Sequence, residues 1–319
     1  MNHLIIRLAL AAAGLLFAVG ALARPVPLLW VAKKGETEVH LLGSFHMLKE
    51  ADYPMDPSIE LAYAGAEALV FEIAPDEMKS PDLSRGLMEA ARFEKGGSLR
   101  AVLSEATRKK LEAFMGEAAV LGSDSMKPWF ITLNMTVSMI LQAGFNPALG
   151  MDVHFMQRAE ADAKPTRGLE TVADQIAALS GAPMDEQVLG LEEALRPREE
   201  MLQRFDELHG FWRAGDVDAI ERLMVEELVD KTPATAKLLN EDRNRRWLPQ
   251  IEAMLAGDED TLVIVGALHL VGDIGVVELL RARGYSVERV DPTPWVDRRS
   301  VARCTSRSEH SVGPGPPCQ

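Results

Sequence analysis

Four polar residues end short apolar runs that have the character of β-strands. His46 closes the run HLLGSFH, His269 closes LVIVGALH, Glu72 lies in ALVFEI, and Glu170 lies in GLET. If these strands are parallel and adjacent, their carboxyl ends share one sheet edge, which is where open α/β sheets bind ligands. Two neutral imidazoles and a carboxylate can hold a divalent cation and its water, and the spare carboxylate can act as general base.

The two histidines share the spacing Gly-x-x-His, with Gly43 before His46 and Gly266 before His269. With 24 Gly and 7 His in the chain, chance alone gives roughly half of one such spacing, so the context must carry the argument. In both copies the glycine ends an apolar strand, where a residue without Cβ lets the backbone turn. The histidine then falls just beyond the carboxyl end of the strand.

Each of the four residues also has a plainer interpretation. A single histidine at a strand end is more often structural than a ligand, and His40, His154 and His209 are interpreted as structural. Glu170 could begin a helix at Thr171, where a carboxylate favours the positive end of the helix dipole. Glu72 is harder to explain in this way, because a buried carboxylate needs a cation, a metal or hydrogen-bond donors.

A predicted helix over 241–255 adds two candidates. Asn244, Trp247 and Ile251 are spaced i, i+3 and i+7, which places an amide on the face that packs on the core. A polar group on that face must find partners. Arg243 could pair with a site carboxylate or stabilise an oxyanion, or it could be an ordinary solvated charge in the run RNRR.

Charge and missing motifs exclude several classes of protein. The 319 residues carry 48 acidic and 34 basic side chains, a net charge of −14, which argues against nucleic acid or an anionic membrane as the main partner. The chain has no His-Glu-x-x-His, Gly-x-Ser-x-Gly, Walker phosphate loop or Gly-x-Gly-x-x-Gly. Zincins, α/β-hydrolases, nucleotide hydrolases and Rossmann dehydrogenases therefore lose their main support.

The elements that must position these residues form an α/β pattern from Arg24 to about Pro294. The pattern predicts a hairpin over 28–42, strands over 68–73 and 164–169, and a helix over 152–163 between the last two. Two mostly helical stretches, about 81–145 and 185–230, are predicted as insertions. The end is predicted as a βαβ-like unit, with a strand over 261–265, a helix over 276–283 and a strand over 286–290.

Both ends of the chain are predicted to lie outside this domain. Residues 1–23 have the form of a signal peptide, with Arg7, an apolar run over 8–20 and a cleavage site after Ala23. The apolar run is short for a membrane span, so we expect an exported protein, periplasmic or secreted, without a stable membrane anchor after cleavage. Residues 295–319 are predicted to be a flexible tail, in which Cys304 and Cys318 could pair in an oxidising compartment.

These motifs, taken in order, resemble the TraB/PrgY/GumN family, which is related to the Tiki metalloproteases. The resemblance spans most of 28–290 and rests on LLGSFH with Pro54, FEI with Glu72, GMD with Asp152, GLETVADQ with Glu170 and Gln175, RNRRW with Asn244, and VIVGALHLVGDIGVVELLRARGY. It implies a mixed α/β sheet built from two related halves, each contributing one Gly-x-x-His. It further implies a divalent-metal peptidase site with manganese, cobalt or zinc, in which His46, Glu72 and His269 hold the metal and Glu170, Arg243 and Asn244 are further site residues.

The resulting hypothesis is an exported, metal-dependent hydrolase that acts on peptides or on another small-molecule substrate. Two alternatives remain at this stage. One is a metal-independent, esterase-like hydrolase in which His46 is the general base and Glu72 orients it. The other is a non-catalytic protein that binds metal or haem. The sequence predicts neither the substrate nor the oligomeric state.

Overall fold

The structure is a computed structural model and describes residues 24–292. The predicted signal peptide, the predicted tail and both cysteines lie outside these residues. Among the helices of residues 24–292, none combines the length and apolar composition that a membrane-spanning helix requires.

Six strands form one mixed sheet, which confirms the predicted α/β class. The strands are β1 (Leu29–Lys34), β2 (Thr37–Ser44), β3 (Ala68–Ile73), β4 (Thr166–Glu170), β5 (Thr261–Gly266) and β6 (Ser286–Arg289). Their order is β4-β3-β5-β2-β1-β6. The four strands from β4 to β2 are parallel, whereas β1 pairs antiparallel with both β2 and β6.

The helices lie between these strands and in two long excursions from the sheet. The α-helices are α1 (Pro57–Gly65), α2 (Pro75–Met78), α3 (Pro81–Ala90), α4 (Leu99–Val102), α5 (Glu105–Met115), α6 (Glu117–Gly122), α7 (Pro128–Gln142), α8 (Met151–Ala161), α9 (Val172–Ser180), α10 (Met184–Ala194), α11 (Arg198–Ala214), α12 (Val217–Met224), α13 (Pro233–Ala236), α14 (Asp242–Leu255) and α15 (Val276–Ala282). Short 3-10 helices cover Glu50–Asp52, Pro147–Leu149 and Ala267–His269, and π-helical turns cover Val225–Val229 and Lys237–Glu241.

The predicted hairpin is confirmed as β1 and β2, which pair antiparallel from Leu29 opposite Leu42 to Lys34 opposite Thr37. Gly35 in the turn has φ +63°, a left-handed conformation that glycine adopts without strain. The predicted strand over 164–169 begins and ends slightly later, so that Glu170 is the last residue of β4 and does not follow it.

The terminal strand, helix and strand are present, but β5 and β6 are not neighbours. Strand β6 runs in the same direction as β5, and β2 and β1 lie between them in the sheet. Sequence periodicity predicts that a strand exists but does not identify the strand it pairs with, because pairing depends on long-range packing.

Two separate clusters of buried apolar side chains hold the helices. The larger one joins the sheet to helices that include α14, through Trp247, Ile251 and Leu255. The smaller one contains Ile131 of α7 and Leu191 of α10, so helices from both predicted insertions pack on each other. Because α14 packs on the sheet, the residues near its start lie beside the carboxyl ends of the parallel strands.

Candidate functional site

The register of the parallel strands brings the two Gly-x-x-His segments together. Gly43 of β2 lies opposite Val265 of β5, so the chain leaves both strands at nearly the same level. A Cβ atom on Gly43 would lie 3.2 Å from Cα of Ala267, closer than normal contact. Glycine therefore permits the close approach of these two segments.

The carboxylate of Glu72 lies between the two histidines. Its Oε1 is 3.9 Å from Nε2 of His46 and 3.9 Å from Nε2 of His269. The same oxygen accepts a 2.7 Å hydrogen bond from the backbone N–H of Gly266. Burial raises the pKa of Glu72, but its electrostatic interactions with His269, His46 and Arg243 outweigh burial and lower the pKa to about 2.

His269 is buried and held in one tautomer by Asn244. The side-chain N–H of Asn244 donates to the carbonyl of Ile274 at 2.8 Å, which turns its Oδ1 towards Nδ1 of His269 at 2.7 Å. Nδ1 therefore carries the proton, and Nε2 presents a lone pair. Burial, assisted by the nearby Arg243, lowers the pKa of His269 to about 3, so the ring is neutral at physiological pH.

Arg243 uses all five of its N–H donors inside the protein. Nε and Nη2 bind Glu170 at 3.1 and 2.6 Å, and Nη2 also binds Glu72 at 2.5 Å. Nη1 donates to Nε2 of His269 at 2.9 Å and to the carbonyl of Leu239, in the π-helical turn before α14, at 3.0 Å. The interpretation of Arg243 as a solvated charge is wrong, because this residue is only 6% exposed.

Glu170 pairs with Arg243, so its interpretation as a helix-terminal carboxylate is also wrong. Thr171 is the residue that caps α9, through its own hydroxyl. Besides the bonds from Arg243, Glu170 accepts a 3.2 Å hydrogen bond from the indole N–H of Trp247. Burial raises the pKa of Glu170, and Arg243 opposes this effect.

His46 is the exposed member of the group, with 57% of its side chain accessible. Its Nδ1 lies 3.3 Å from Oδ1 of Asp152, at the start of α8. The loop is held against α8 by a 3.1 Å hydrogen bond from the N–H of Met151 to the carbonyl of Phe45. A Cβ on Gly150 would lie 2.3 Å from the backbone oxygen of His46, so only glycine fits there.

Asp152 was not among the candidate site residues. The only signal for it in the sequence is its place in the motif GMD, where a carboxylate in the first turn of a helix is usually explained by the helix dipole. Desolvation lowers the pKa of His46, but the ion pair with Asp152 and the charge of Glu72 outweigh it and raise the pKa to about 9.

We expect Asp152→Asn to lower the pKa of His46 from about 9 towards its ordinary value near 6.5, because it removes the nearer of the two carboxylates beside the ring. NMR titration of the His46 ring in metal-free protein measures this. Asp162→Asn is the matched control, since Asp162 binds Tyr63 away from the site. An unchanged His46 titration in Asp152→Asn would show that the ion pair does not form in solution.

The donor set of this site suits a divalent cation. A Cβ on Gly266 would lie 3.2 Å from both Oε1 of Glu72 and Nε2 of His46 and 3.6 Å from the ring of His269, so the glycine leaves a space that these three side chains border. Within residues 24–292, no three His, Cys, Asp or Glu side chains lie, as they stand, close enough to hold a metal. The 3.9 Å separations exceed the roughly 3.3 Å between tetrahedral zinc ligands. Binding would therefore require Glu72 and the exposed His46 to close and Arg243 to release Nε2 of His269.

The fold and the site together define an α/β protein with a histidine and carboxylate cluster at the carboxyl edge of four parallel strands. A sequence model of the TraB/PrgY/gumN family matches residues 28–289, and the chain belongs to this family.

Individual relatives include proteins with and without an assigned activity. The uncharacterized protein YbaP of Escherichia coli is 24% identical over 262 residues, which is 80% of this chain and 92% of the relative; the same figures hold for YbaP of Shigella flexneri. A protein named metalloprotease TIKI homolog from Amphimedon queenslandica is 34% identical over 85 residues. That match covers 26% of this chain and 14% of the relative.

Proposed function

We propose that this chain is a hydrolase that depends on a divalent metal ion and acts on peptides. The observation that carries the proposal is the space above Gly266, bordered by His46, Glu72 and His269. Family membership and the name of the Amphimedon queenslandica relative support the same reaction class. Export to the periplasm or the medium remains a prediction from residues 1–23.

His46, Glu72 and His269 would hold the metal, with manganese, cobalt or zinc as the candidate ions. When bound, such an ion lowers the pKa of a water molecule towards neutrality and polarises a carbonyl group. The neutral Nε2 lone pair of His269 and the ionised Glu72 are in the protonation states that metal binding requires. His46 loses one proton when it becomes a ligand, so metal affinity should rise with pH.

The remaining residues hold these ligands and supply positive charge. Asn244 fixes the tautomer of His269, a role that hydrogen-bond partners of metal-bound histidines commonly have. When Arg243 releases Nε2 of His269, its Nη1 would have a free N–H donor beside that ring, which can stabilise negative charge that develops on a carbonyl oxygen. Glu170 is fully engaged by Arg243 and Trp247, so it acts as a positioning residue and not as the general base.

The metal content of the purified protein tests this proposal. We expect about one metal ion per chain after reconstitution with manganese, cobalt or zinc, measured by mass spectrometry. We expect His46→Ala and His269→Ala to lose most of it and to lose peptide hydrolysis. His40→Ala is the matched control, because His40 lies in the same strand as the first motif but outside the site.

Full metal content and full turnover in both site variants would exclude the proposed ligands. Complete chelation without loss of turnover would instead favour the metal-independent hydrolase with His46 as base. That alternative needs Glu72 to orient His46, but the carboxylate nearest to the ring is that of Asp152, 3.3 Å from Nδ1, whereas Glu72 lies 3.9 Å from Nε2.

A further inference from the structure

Two cavities meet at the histidines, and their linings differ in chemistry. One, of about 450 Å³, contains the charged groups of the site, including Glu72, Asp152 and Arg243. The other, of about 300 Å³, is called here the apolar side cavity. Its lining includes the apolar residues Phe45, Phe205, Leu208, Trp212, Ile220 and Leu268.

His46, Met47 and His269 line both cavities and therefore stand at their junction. A group held at the junction is in contact with both imidazoles. If a peptide bond lies there, the residue next to it can enter the apolar side cavity with its side chain and its backbone amide. The rest of the peptide then stays in the cavity of about 450 Å³. The arrangement places an apolar surface directly beside the reacting position.

The apolar side cavity adjoins a third space of about 240 Å³, with which it shares the lining residues Phe205, Leu208 and Leu268. Met139, Met201 and Met224 line that third space. Methionine side chains are flexible and adapt to groups of different shape. The cavity can therefore accept long as well as branched apolar side chains.

We propose that the apolar side cavity selects peptides with a large apolar residue, such as leucine, methionine or phenylalanine, next to the cleaved bond. This inference rests on the proposed function of the adjoining site. Apolar lining with a few polar groups at one end is the usual character of a specificity pocket, and about 300 Å³ is at the small end of ligand-binding cavities. The size fits one side chain better than a whole ligand.

Ser44 indicates a peptide as the occupant and not a hydrocarbon chain. It lines the apolar side cavity, is 2% exposed, and its hydroxyl has no hydrogen-bond partner within the part of the chain that the structure describes. A buried polar atom normally finds a partner, and the backbone amide of a bound peptide residue would supply one once the Ser44 hydroxyl turns towards the cavity. A hydrocarbon chain would supply no partner and would gain no affinity from this hydroxyl.

Leu208→Trp tests the inference, because the indole ring is larger than the leucine side chain and would fill the apolar side cavity from α11. A mixed peptide library first identifies a bond that the protein cleaves. The substrates are then two peptides that contain this bond and differ only in the residue beside it, alanine or phenylalanine. In the wild type we expect kcat/KM for the phenylalanine peptide to exceed that for the alanine peptide about 10-fold or more. In Leu208→Trp this ratio should fall to near one, whereas Leu61→Trp, at an exposed position of α1, should keep it.

Leu208→Ala provides a second variant, with a thermal unfolding curve measured for each protein. Enlarging the cavity should raise the preference for tryptophan over leucine at the same position. If both Leu208 variants fold and keep the wild-type preference between apolar residues, the proposed role of the apolar side cavity is wrong. Peptide hydrolysis at the wild-type level in these variants would still leave the proposed function intact.

Direct binding separates the two proposals when no hydrolysis is detected. We expect N-acetyl-phenylalaninamide to shift NMR signals of Phe205 and Trp212 in metal-free wild type and to bind at least about 10-fold more weakly to Leu208→Trp. This result would support the apolar side cavity even if the hydrolase proposal fails. Binding of dodecanoate there without binding of the amide would overturn it, because the occupant would then be a hydrocarbon chain.

Discussion

Replacement of Arg243 by methionine should lower the free energy of unfolding by about 3–5 kcal/mol at pH 7. Methionine keeps much of the length of arginine but leaves Glu72 and Glu170 without their shared counter-charge. Both carboxylates are nearly buried, with 11% and 2% of their side chains exposed, so water cannot replace the guanidinium. Urea unfolding followed by circular dichroism measures the loss.

Two further variants identify the cause of this loss. Arg245→Met is the matched control, because Arg245 is exposed and, within residues 24–292, pairs with Glu241 one turn away. We expect a change in the free energy of unfolding below about 0.5 kcal/mol. Arg243→Met combined with Glu170→Gln should recover part of the stability, since it removes one of the two uncompensated charges. If Arg243→Met unfolds with a free energy close to that of the wild type, the buried ion pairs are not formed in solution.

The difference in the free energy of unfolding between the wild type and Arg243→Met should depend on pH with a definite sign. The pKa of Glu72 is lowered to about 2 from an ordinary value of 4.5, so its ionisation stabilises the fold above pH 4.5 and this contribution is lost as the pH falls towards 2. Arg243 is one cause of the lowered pKa. The stability gap between wild type and Arg243→Met should therefore narrow as the pH is lowered through this window.

Local patterns were sufficient to predict which residues meet at the carboxyl edge of the parallel strands. Gly43 and Gly266 each end an apolar strand, and the alternation of strands and helices favours parallel pairing, so His46 and His269 were expected at one edge. The structure brings them to Glu72 there, together with Glu170, Arg243 and Asn244. The burial cost of Glu72 also predicted that it would need a cation, a metal or hydrogen-bond donors, and Arg243 and the N–H of Gly266 donate to it.

Other features depend on contacts that no local pattern encodes. Asp152 meets His46 because backbone hydrogen bonds join Phe45 to Met151 and Leu48 to Asn146. The residues in each of these pairs are more than 90 positions apart in the sequence. The apolar side cavity combines α11 and α12 with the two Gly-x-x-His segments, and the amphipathic pattern of α11 does not show which of its apolar residues stay uncovered. The position of β6 beside β1, at the edge of the sheet, also depends on long-range pairing that no local pattern encodes.

Glu72→Gln should lower kcat/KM for peptide hydrolysis by about 100-fold or more. Loss of a ligand should cost at least as much as loss of the partner behind a ligand, which typically costs about 10- to 100-fold. The substitution keeps the size of the side chain, so the effect comes from charge and hydrogen bonding. Both oxygens of Glu72 accept hydrogen bonds, Oε1 from Gly266 and Oε2 from Arg243, so the amide NH₂ of glutamine must face one of these donors.

Measuring metal affinity beside turnover shows how Glu72 acts. If Glu72 is a ligand, Glu72→Gln weakens metal binding, and excess metal restores part of the activity. Gln175→Ala is the matched control, because Gln175 donates to Oε2 of Glu72 through a longer 3.3 Å contact and should change turnover by less than about 10-fold. If turnover in Glu72→Gln stays within a few-fold of that of the wild type, Glu72 is not a functional residue of the site. If turnover is lost but metal affinity is unchanged, Glu72 is not a ligand and acts on the substrate beside the metal.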